Sequence, residues 1–244
     1  MEDPIAKFIP AFNGEQAKIT VRQCLAHTSG IVDPGDLLKP PDKDPGVTLE
    51  EEVNAAAKKK LAHKPGAVFA FGGMSYQAAG RVAEIASGTP WEFWVKQAIE
   101  DPPGGSFTFG ETPDPRLAGG ASASLDAYGA FLQMILNDGT FNGARVLSKT
   151  MIKAMRTNQL RDLAAATPIA EGSAPQRYGL GWWLEEVDGS GVATSMNAAG
   201  AFGTMPWVDF AKGYAAIVMM NDKQATGTKL VAKIRPLIEA AIAL

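Results

Sequence analysis

One cysteine, two histidines and no long apolar run set the first limits on this 244-residue chain. Cys24 stands alone, so an intrachain disulfide is impossible and a structural zinc site built on thiolates is excluded. No stretch approaches the roughly 18 apolar residues of a membrane span. The opening Met-Glu-Asp-Pro has neither the basic start nor the apolar core of a secretory leader. The chain is therefore expected to be soluble, with no visible address. Charge of one sign is scarce as well. The 23 Lys and Arg stand against 26 Asp and Glu, for a net charge of -3, and the basic residues are scattered. That distribution offers no basic face to nucleic acid or to an anionic membrane, so the expected partner is a small molecule or another protein.

The scarcity of histidine decides further questions. His27 and His63 both precede every strand the sequence places. Gly73-Met74-Ser75-Tyr76-Gln77 follows an apolar run and opens a helix, as a nucleophile elbow does. Its last position is Gln rather than Gly, however, and no His follows Ser75, so the order Ser, acid, His cannot be met. Neither His has a ligand-type residue at helical spacing, and no metal or cofactor is expected. Both histidines read as loop or core hydrogen-bonding groups. The pairs Gly72-Gly73 and Gly104-Gly105 lack the Lys or the dinucleotide pattern of a phosphate cradle. Trp182-Trp183 reads as sheet core rather than as a ligand platform.

What the chain does have is 46% hydrophobic residues, enough for a sizeable core, and clear element boundaries. Thr20–Gln23, Thr48–Glu51 and Thr89–Glu92 each match a capping box, the third with Pro90 at the first helical position. On the first helix Val21, Cys24 and Leu25 share a face, which makes Cys24 a core residue. From Ser75 to Ser87, Ala78, Ala79, Val82, Ile85 and Ala86 repeat at helical spacing, with Gly88 as the stop. Gly80 within that helix implies a closely packed neighbouring backbone. Another helix is expected over Leu125–Leu136, with Tyr128, Phe131, Leu132 and Ile135 inward. Tyr178–Glu186, Thr204–Phe210 and Tyr214–Met220 read as strands of an antiparallel meander. Lys229–Leu244 returns to helical spacing through Leu230, Ile234, Leu237, Ile238 and Ala241, with a kink at Pro236. Helices, then strands, then a closing helix indicate an α+β domain.

The segment Ile19-Thr-Val-Arg-Gln-Cys-Leu-Ala-His-Thr-Ser-Gly-Ile31 resembles the "Ile-Thr-x-Arg-x-Leu-Leu-x-His-Thr-Ser-Gly" stretch of the β-lactamase-like, penicillin-binding-protein-like serine hydrolases. That family includes class C β-lactamases, D-Ala-D-Ala peptidases and family VIII carboxylesterases. The upstream run from Asp3-Pro4 to Pro10 is similar to the stretch that precedes the motif. Pro65-Gly66 through Phe71-Gly72-Gly73, Gly80–Glu84, Tyr178–Trp182 and Gly200–Gly203 follow in the family's order, so the likeness covers nearly the whole chain. It implies a β-lactamase/transpeptidase-like fold with a helical lobe packed on an antiparallel sheet and a cleft between them. The expected organisation is a single domain over 1–244, with the helical lobe at about 15–157 and the strands and closing helix at about 178–244.

The family's chemistry is acyl transfer by the Ser of a Ser-x-x-Lys motif, assisted by the Tyr of a Tyr-x-Asn motif and by a Lys-Thr-Gly-like or His-x-Gly strand. Such assistance is required because a free Ser hydroxyl is a weak nucleophile. No Ser of this chain has a Lys three residues later. In the family that motif precedes the segment matched by Asp3-Pro4, so it falls upstream of Met1, together with an N-terminal helix and strands. The Tyr-x-Asn position reads Phe71-Gly72-Gly73, and the Lys-Thr-Gly-like position reads Ala198-Ala199-Gly200. The Ala201 N–H is left as a backbone oxyanion donor. Thr150 with Lys153, and Thr226 with Lys229, have the spacing but not the expected location. The expected binding residues are Phe71, Gly72, Gly73, Ala199, Gly200, Ala201 and Phe202, and the expected ligand is a small ester, amide or β-lactam-like molecule. Three readings stay open: a hydrolase lacking its nucleophile segment, a non-catalytic ligand-binding pseudoenzyme, and a subunit completed by another chain. Loss of an N-terminal helix and strands would expose apolar surface, so a homo-oligomer is expected.

Overall fold

Thr20 shows how the sequence starts its helices. Its Oγ1 accepts from the Gln23 N–H at 3.2 Å while Gln23 Oε1 accepts from the Thr20 N–H at 3.0 Å, opening α1 (Val21–Leu25). Thr48 and Glu51 form the same reciprocal box at the head of α2 (Leu49–Ala57), at 3.2 and 2.9 Å. These belong to a computed structural model describing residues 1–33, 47–97, 106–110, 112–160, 163–165 and 177–242. Gly104-Gly105 and the last two residues of the expected closing helix lie outside the described residues.

Helix α3 (Met74–Ser87) follows the expected periodicity and stops at Gly88, whose φ of 71° is the left-handed C-cap geometry that glycine adopts without strain. Two expectations need correction here. Ile85, expected inward, is 38% exposed. The neighbour that Gly80 admits is not a backbone but the side chain of Leu117, which fills the space a Cβ would take. A third correction concerns α4 (Trp91–Val95), where Thr89 makes no capping box. Its hydroxyl bonds Ser87 Oγ at 3.0 Å, and the Trp91 N–H donates instead to Glu84 Oε1 at 2.8 Å, with Pro90 as the N-cap rather than the first helical residue. The tight reversal at Gly88 brings the last turn of α3 back over the head of α4, so Glu84 reaches that free N–H. Helix α5 (Leu125–Leu136) is capped by Ser124 and α6 (Lys149–Arg156) by Ser148.

Three two-residue ladders precede the main sheet. Strand β1 (Val68–Phe69) pairs in parallel with β6 (Ala164–Ala165). Antiparallel pairs join β2 (Phe107–Thr108) to β3 (Ser122–Ala123) and β4 (Thr140–Phe141) to β5 (Ala144–Arg145). The main sheet is an antiparallel meander of β7 (Trp183–Val187), β8 (Ala193–Asn197), β9 (Met205–Asp209) and β10 (Tyr214–Val218), in the order β10-β9-β8-β7. Three of its strands match expected runs, although the first is shorter than expected: Tyr178 makes only an isolated bridge to Trp183, and Gly181 turns the chain at φ 85°. Strand β8 escaped the sequence reading because Ala-Thr-Ser-Met-Asn carries no aromatic residue and only one β-branched one. Neighbours on both sides make it a strand.

Two large apolar clusters hold these elements, and a third, smaller one gathers Phe69, Leu160 and Tyr178 against Trp183. Of the large two, one joins Ile5, Ile9, Phe12 and Ile19 to α1, α2 and α3; the other joins α5 and α6 to the sheet through Leu132, Ile135, Ile152, Trp182, Met196 and Val208. The closing helix α7 (Gln224–Ile242) begins five residues before the expected Lys229 and contains Pro236. Its apolar stripe is only partly covered: Ile234 and Ile238 are half-buried, whereas Leu230 is 38% and Leu237 69% exposed. Ionic contacts also fix it. Arg235 donates to Glu185 at 2.9 and 3.0 Å and to Glu239 at 3.2 Å, and lies 3.5 Å from Asp209. Among the described residues no helix is long and apolar enough to cross a membrane.

Candidate active site

The loop after α1 is built on unusual backbone. His27 has φ 54°, and at Gly30, with φ 76°, a Cβ would collide with the His63 carbonyl. The loop is stitched to the segment leading to Phe71: Gly66 N–H donates to Thr28 O at 2.7 Å, Ala62 N–H to Gly30 O at 2.9 Å, and Ala70 N–H to His27 O at 2.9 Å. Within it, Ser29 Oγ and Ser75 Oγ form a buried hydrogen bond of 2.7 Å. Ser75 is thus a buried tie from the first turn of α3 to the loop after α1 rather than an exposed nucleophile.

Side chains complete the tie. His27 Nδ1 accepts from the Gly72 N–H at 3.3 Å. Asp33 Oδ2 accepts from the Gly73 N–H and, at 3.4 Å, from the Met74 N–H, supplying the cap that Gly73 lacks at the head of α3. Glycine at 72 leaves room for this carboxylate, since a Cβ there would strike the Asp33 side chain unless it moved. The sequence reading did not single out Asp33. Its signal, an acid some forty positions before a Gly-Gly helix start, is not local.

Phe71 stands at the rim of this frame, 48% exposed. Its ring stacks on Trp183 at 5.6 Å and 23° and lies 4.3 Å from His27. The two neighbouring tryptophans, Trp182 just before β7 and Trp183 as its first residue, divide. Trp182 is buried in the sheet core, as expected, and Trp183 turns to Phe71. Behind Phe71, Tyr76 Oη and Tyr178 Oη share a hydrogen bond of 2.7 Å. Burial pushes Tyr76 up to about 12 and Tyr178 well above the usual phenol range, the latter also through the Tyr76 oxygen. Burial drives His27 down to about 3, so its imidazole is neutral at physiological pH. With Nδ1 accepting, the proton sits on Nε2, which is buried without a hydrogen-bond partner. None of these groups is a proton acceptor matched to neutral pH.

The second expected segment follows β8. Gly200 N–H donates to Thr204 O at 2.8 Å and Gly203 N–H to Gly200 O at 3.0 Å, closing a tight turn. Gln224 N–H and Asp222 N–H hold the Ala201 and Phe202 carbonyls at 3.1 and 2.9 Å. The Ala201 N–H has no acceptor among the described residues. Ala201 and Phe202 are exposed, whereas Ala199 and Gly200 are half-buried. Trp183 links the two segments, since it carries Phe71 on its ring and pairs across the ladder with Asn197, two residues before Ala199. Thr150 and Lys153 lie on the exposed side of α6, and Thr226 and Lys229 on the exposed first turns of α7. Cys24 is buried, its thiol pushed up to about 12. Among the described residues no three His, Cys, Asp or Glu side chains are grouped to hold a metal ion.

Comparison with known proteins fits this architecture. The β-lactamase family model matches residues 1–238. A β-lactamase-like protein of Bacteroides dorei superimposes with a TM-score of 0.81 at 28% identity, over 96% of this chain and 77% of that one. The octameric penicillin-binding protein homologue of Pyrococcus abyssi shares the fold, with a TM-score of 0.72 at 20% identity, over 97% of this chain and 60% of that one. The protein flp of Staphylococcus aureus is 32% identical over 93 residues, which are 34% of this chain and only 18% of that relative's length. Because the family model matches nearly the whole chain, residues 1–238, the chain belongs to the β-lactamase family.

Proposed function

We propose that this chain is the ligand-binding body of a serine-hydrolase-type acyl cleft, and that its own residues do not carry out acyl transfer. The ligand is a small ester, amide or β-lactam-like molecule. It lies between the Phe71-Gly72-Gly73 loop and the Ala199-Gly200-Ala201-Phe202 turn, with Trp183 as the floor joining them. The observation that carries this reading is Phe71. Its ring lies half-exposed on Trp183, its loop is fixed by the His27 and Asp33 ties, and at the position that the resemblance aligns with the family's Tyr it has no hydroxyl to move a proton. The phenols behind it are held protonated by burial and do not replace it. The Ala201 N–H, which has no acceptor among the described residues, would polarise a ligand carbonyl, and Phe71 and Phe202 would supply apolar contact.

Intact-mass analysis after incubation with an activated ester or a β-lactam tests the proposal. No covalent adduct is expected, whereas saturable, non-covalent binding is expected by ligand-detected NMR and is lost in Phe71→Ala. A stoichiometric adduct on any Ser or Thr overturns the non-catalytic reading, and its position names the nucleophile. A second reading, in which another chain completes the subunit, is favoured by the uncovered Leu230 and Leu237 of α7.

A further inference from the structure

Helix α6 carries an arrangement of charge that works against its own stability. Lys149, Lys153 and Arg156 fall at i, i+4 and i+7, so they share one face. The helix dipole accounts for Lys153 and Arg156 in the last turn, but it disfavours Lys149 in the first, where no acidic residue offsets it. Lys149 and Lys153 also repel each other at i, i+4. Among the described residues the lysines held in ion pairs are Lys7 and Lys212, and neither lysine of α6 is one of them.

Arg156 is pinned without a carboxylate. Its Nε and Nη2 both donate to the Ala193 carbonyl, at 2.9 and 2.7 Å, and its guanidinium carbon lies 3.6 Å from the centre of the Phe210 ring. One fork of the group is spent on a backbone oxygen and one face on a ring. The other fork, between Nη1 and Nη2, has no acceptor among the described residues. Thr157 bridges to Val192, which fixes the end of α6 against the β7–β8 hairpin, and between helix and hairpin lies an open groove of about 340 Å³ lined by all three cations. Asp138 and Asp188 line it too. Asp188 Oδ1 is already taken, at 2.8, 2.7 and 3.1 Å, by the Ser190 N–H, the Ser190 hydroxyl and the Val192 N–H, which fold the hairpin turn. Three cations against two acids leave a small net positive charge, which suits one compact anion and not a polyanion such as nucleic acid.

The donor set names the anion. A guanidinium fork takes two oxygens side by side, which is all that a carboxylate has, whereas a phosphate group keeps a third for the lysines and carries more charge. We propose that the α6 groove is a phosphate site. The free fork of Arg156 takes two phosphate oxygens, and Lys149 and Lys153 meet the remaining charge. The groove shares no lining residue with the two segments of the proposed cleft, and its test uses no acylating probe.

The whole chain is titrated with inorganic phosphate at constant ionic strength, made up with chloride, and followed by amide chemical shifts. Saturable shifts are expected at residues 149, 153, 156 and 192, with acetate binding roughly tenfold more weakly. Glycerol phosphate as a second probe tells the sources apart: tighter binding than inorganic phosphate indicates a phosphorylated small molecule, and equal binding indicates free phosphate. Lys149→Gln combined with Lys153→Gln, both at exposed side chains, is expected to leave the urea midpoint unchanged and to weaken phosphate binding by roughly tenfold or more. Arg156→Lys keeps the charge but removes the fork, and is expected to weaken it by about as much. Shifts that fail to saturate, that chloride reproduces, or that survive either variant overturn the proposal. So does acetate that binds as tightly as phosphate.

Discussion

Replacing Asp33 by Ala removes one carboxylate oxygen that serves two backbone N–H groups, at Gly73 and Met74, where α3 begins. The expected cost has three parts. Loss of a helix cap costs about 1 kcal/mol. Loss of a negative charge at the helix N-terminus costs about 0.5 kcal/mol. The second, part-buried N–H left without a partner adds about 1 kcal/mol. The sum, on the order of 2.5 kcal/mol, corresponds to a melting temperature lower by roughly 5–10 °C for a chain of this size. Asp33→Asn keeps an acceptor and should recover about half of the loss. The sharper test couples Asp33 to Gly72, because a Cβ at residue 72 collides with that carboxylate. Gly72→Ala should destabilise the parent chain, and should cost at least about 1 kcal/mol less when Asp33 is already Ala. Urea unfolding followed by tryptophan fluorescence measures all four corners of the cycle. Additive single effects, or an Asp33→Ala chain as stable as the parent, would refute the account of how the Phe71 loop is held.

Asp114 gives a pH prediction. Its carboxyl is raised to about 6, first by burial and then by the nearby Glu52 charge, with Arg116 opposing. A raised acid binds its proton more tightly in the folded state. Its contribution is therefore full below the unfolded value of 3.8 and is lost as pH rises through about 6. The amount is on the order of 2 kcal/mol after allowance for solvent screening. Asp114→Asn should flatten that slope in denaturant titrations at pH 4 to 7; an unchanged slope would assign it to other carboxylates. Arg235→Met should destabilise by about 3 kcal/mol, because it strips the guanidinium from Asp209, which is 4% exposed, and from Glu185. Limited proteolysis should then cut within α7 before the sheet, and cleavage elsewhere first would contradict the clamp.

The sequence alone determined whatever depends on neighbouring residues. Thr20 with Gln23 and Thr48 with Glu51 open helices because the partners sit three positions apart, and Gly88 stops α3 because left-handed backbone suits glycine. The same local order of motifs, from Ile19–Ile31 through Phe71-Gly72-Gly73 to Gly200–Gly203, was enough to place the chain in its family. Tertiary structure decided what depends on neighbours distant in the chain. Ala193–Asn197 is a strand because β7 and β9 flank it, not because of its own propensity. Trp91 is capped by Glu84 because the reversal at Gly88 brings two helices together. Asp33 caps α3 from forty residues away, and Trp183 rather than Trp182 meets Phe71 because Trp182 is packed into the sheet cluster while the next ring faces the Phe71 loop. Periodicity marked the α7 stripe as apolar, but it could not say that Arg235, bound to Glu185, Glu239 and Asp209, would set the helix on the sheet and leave Leu237 in water. Which face of a helix is covered is fixed by what packs against it, and that contact has no signature at short range along the chain.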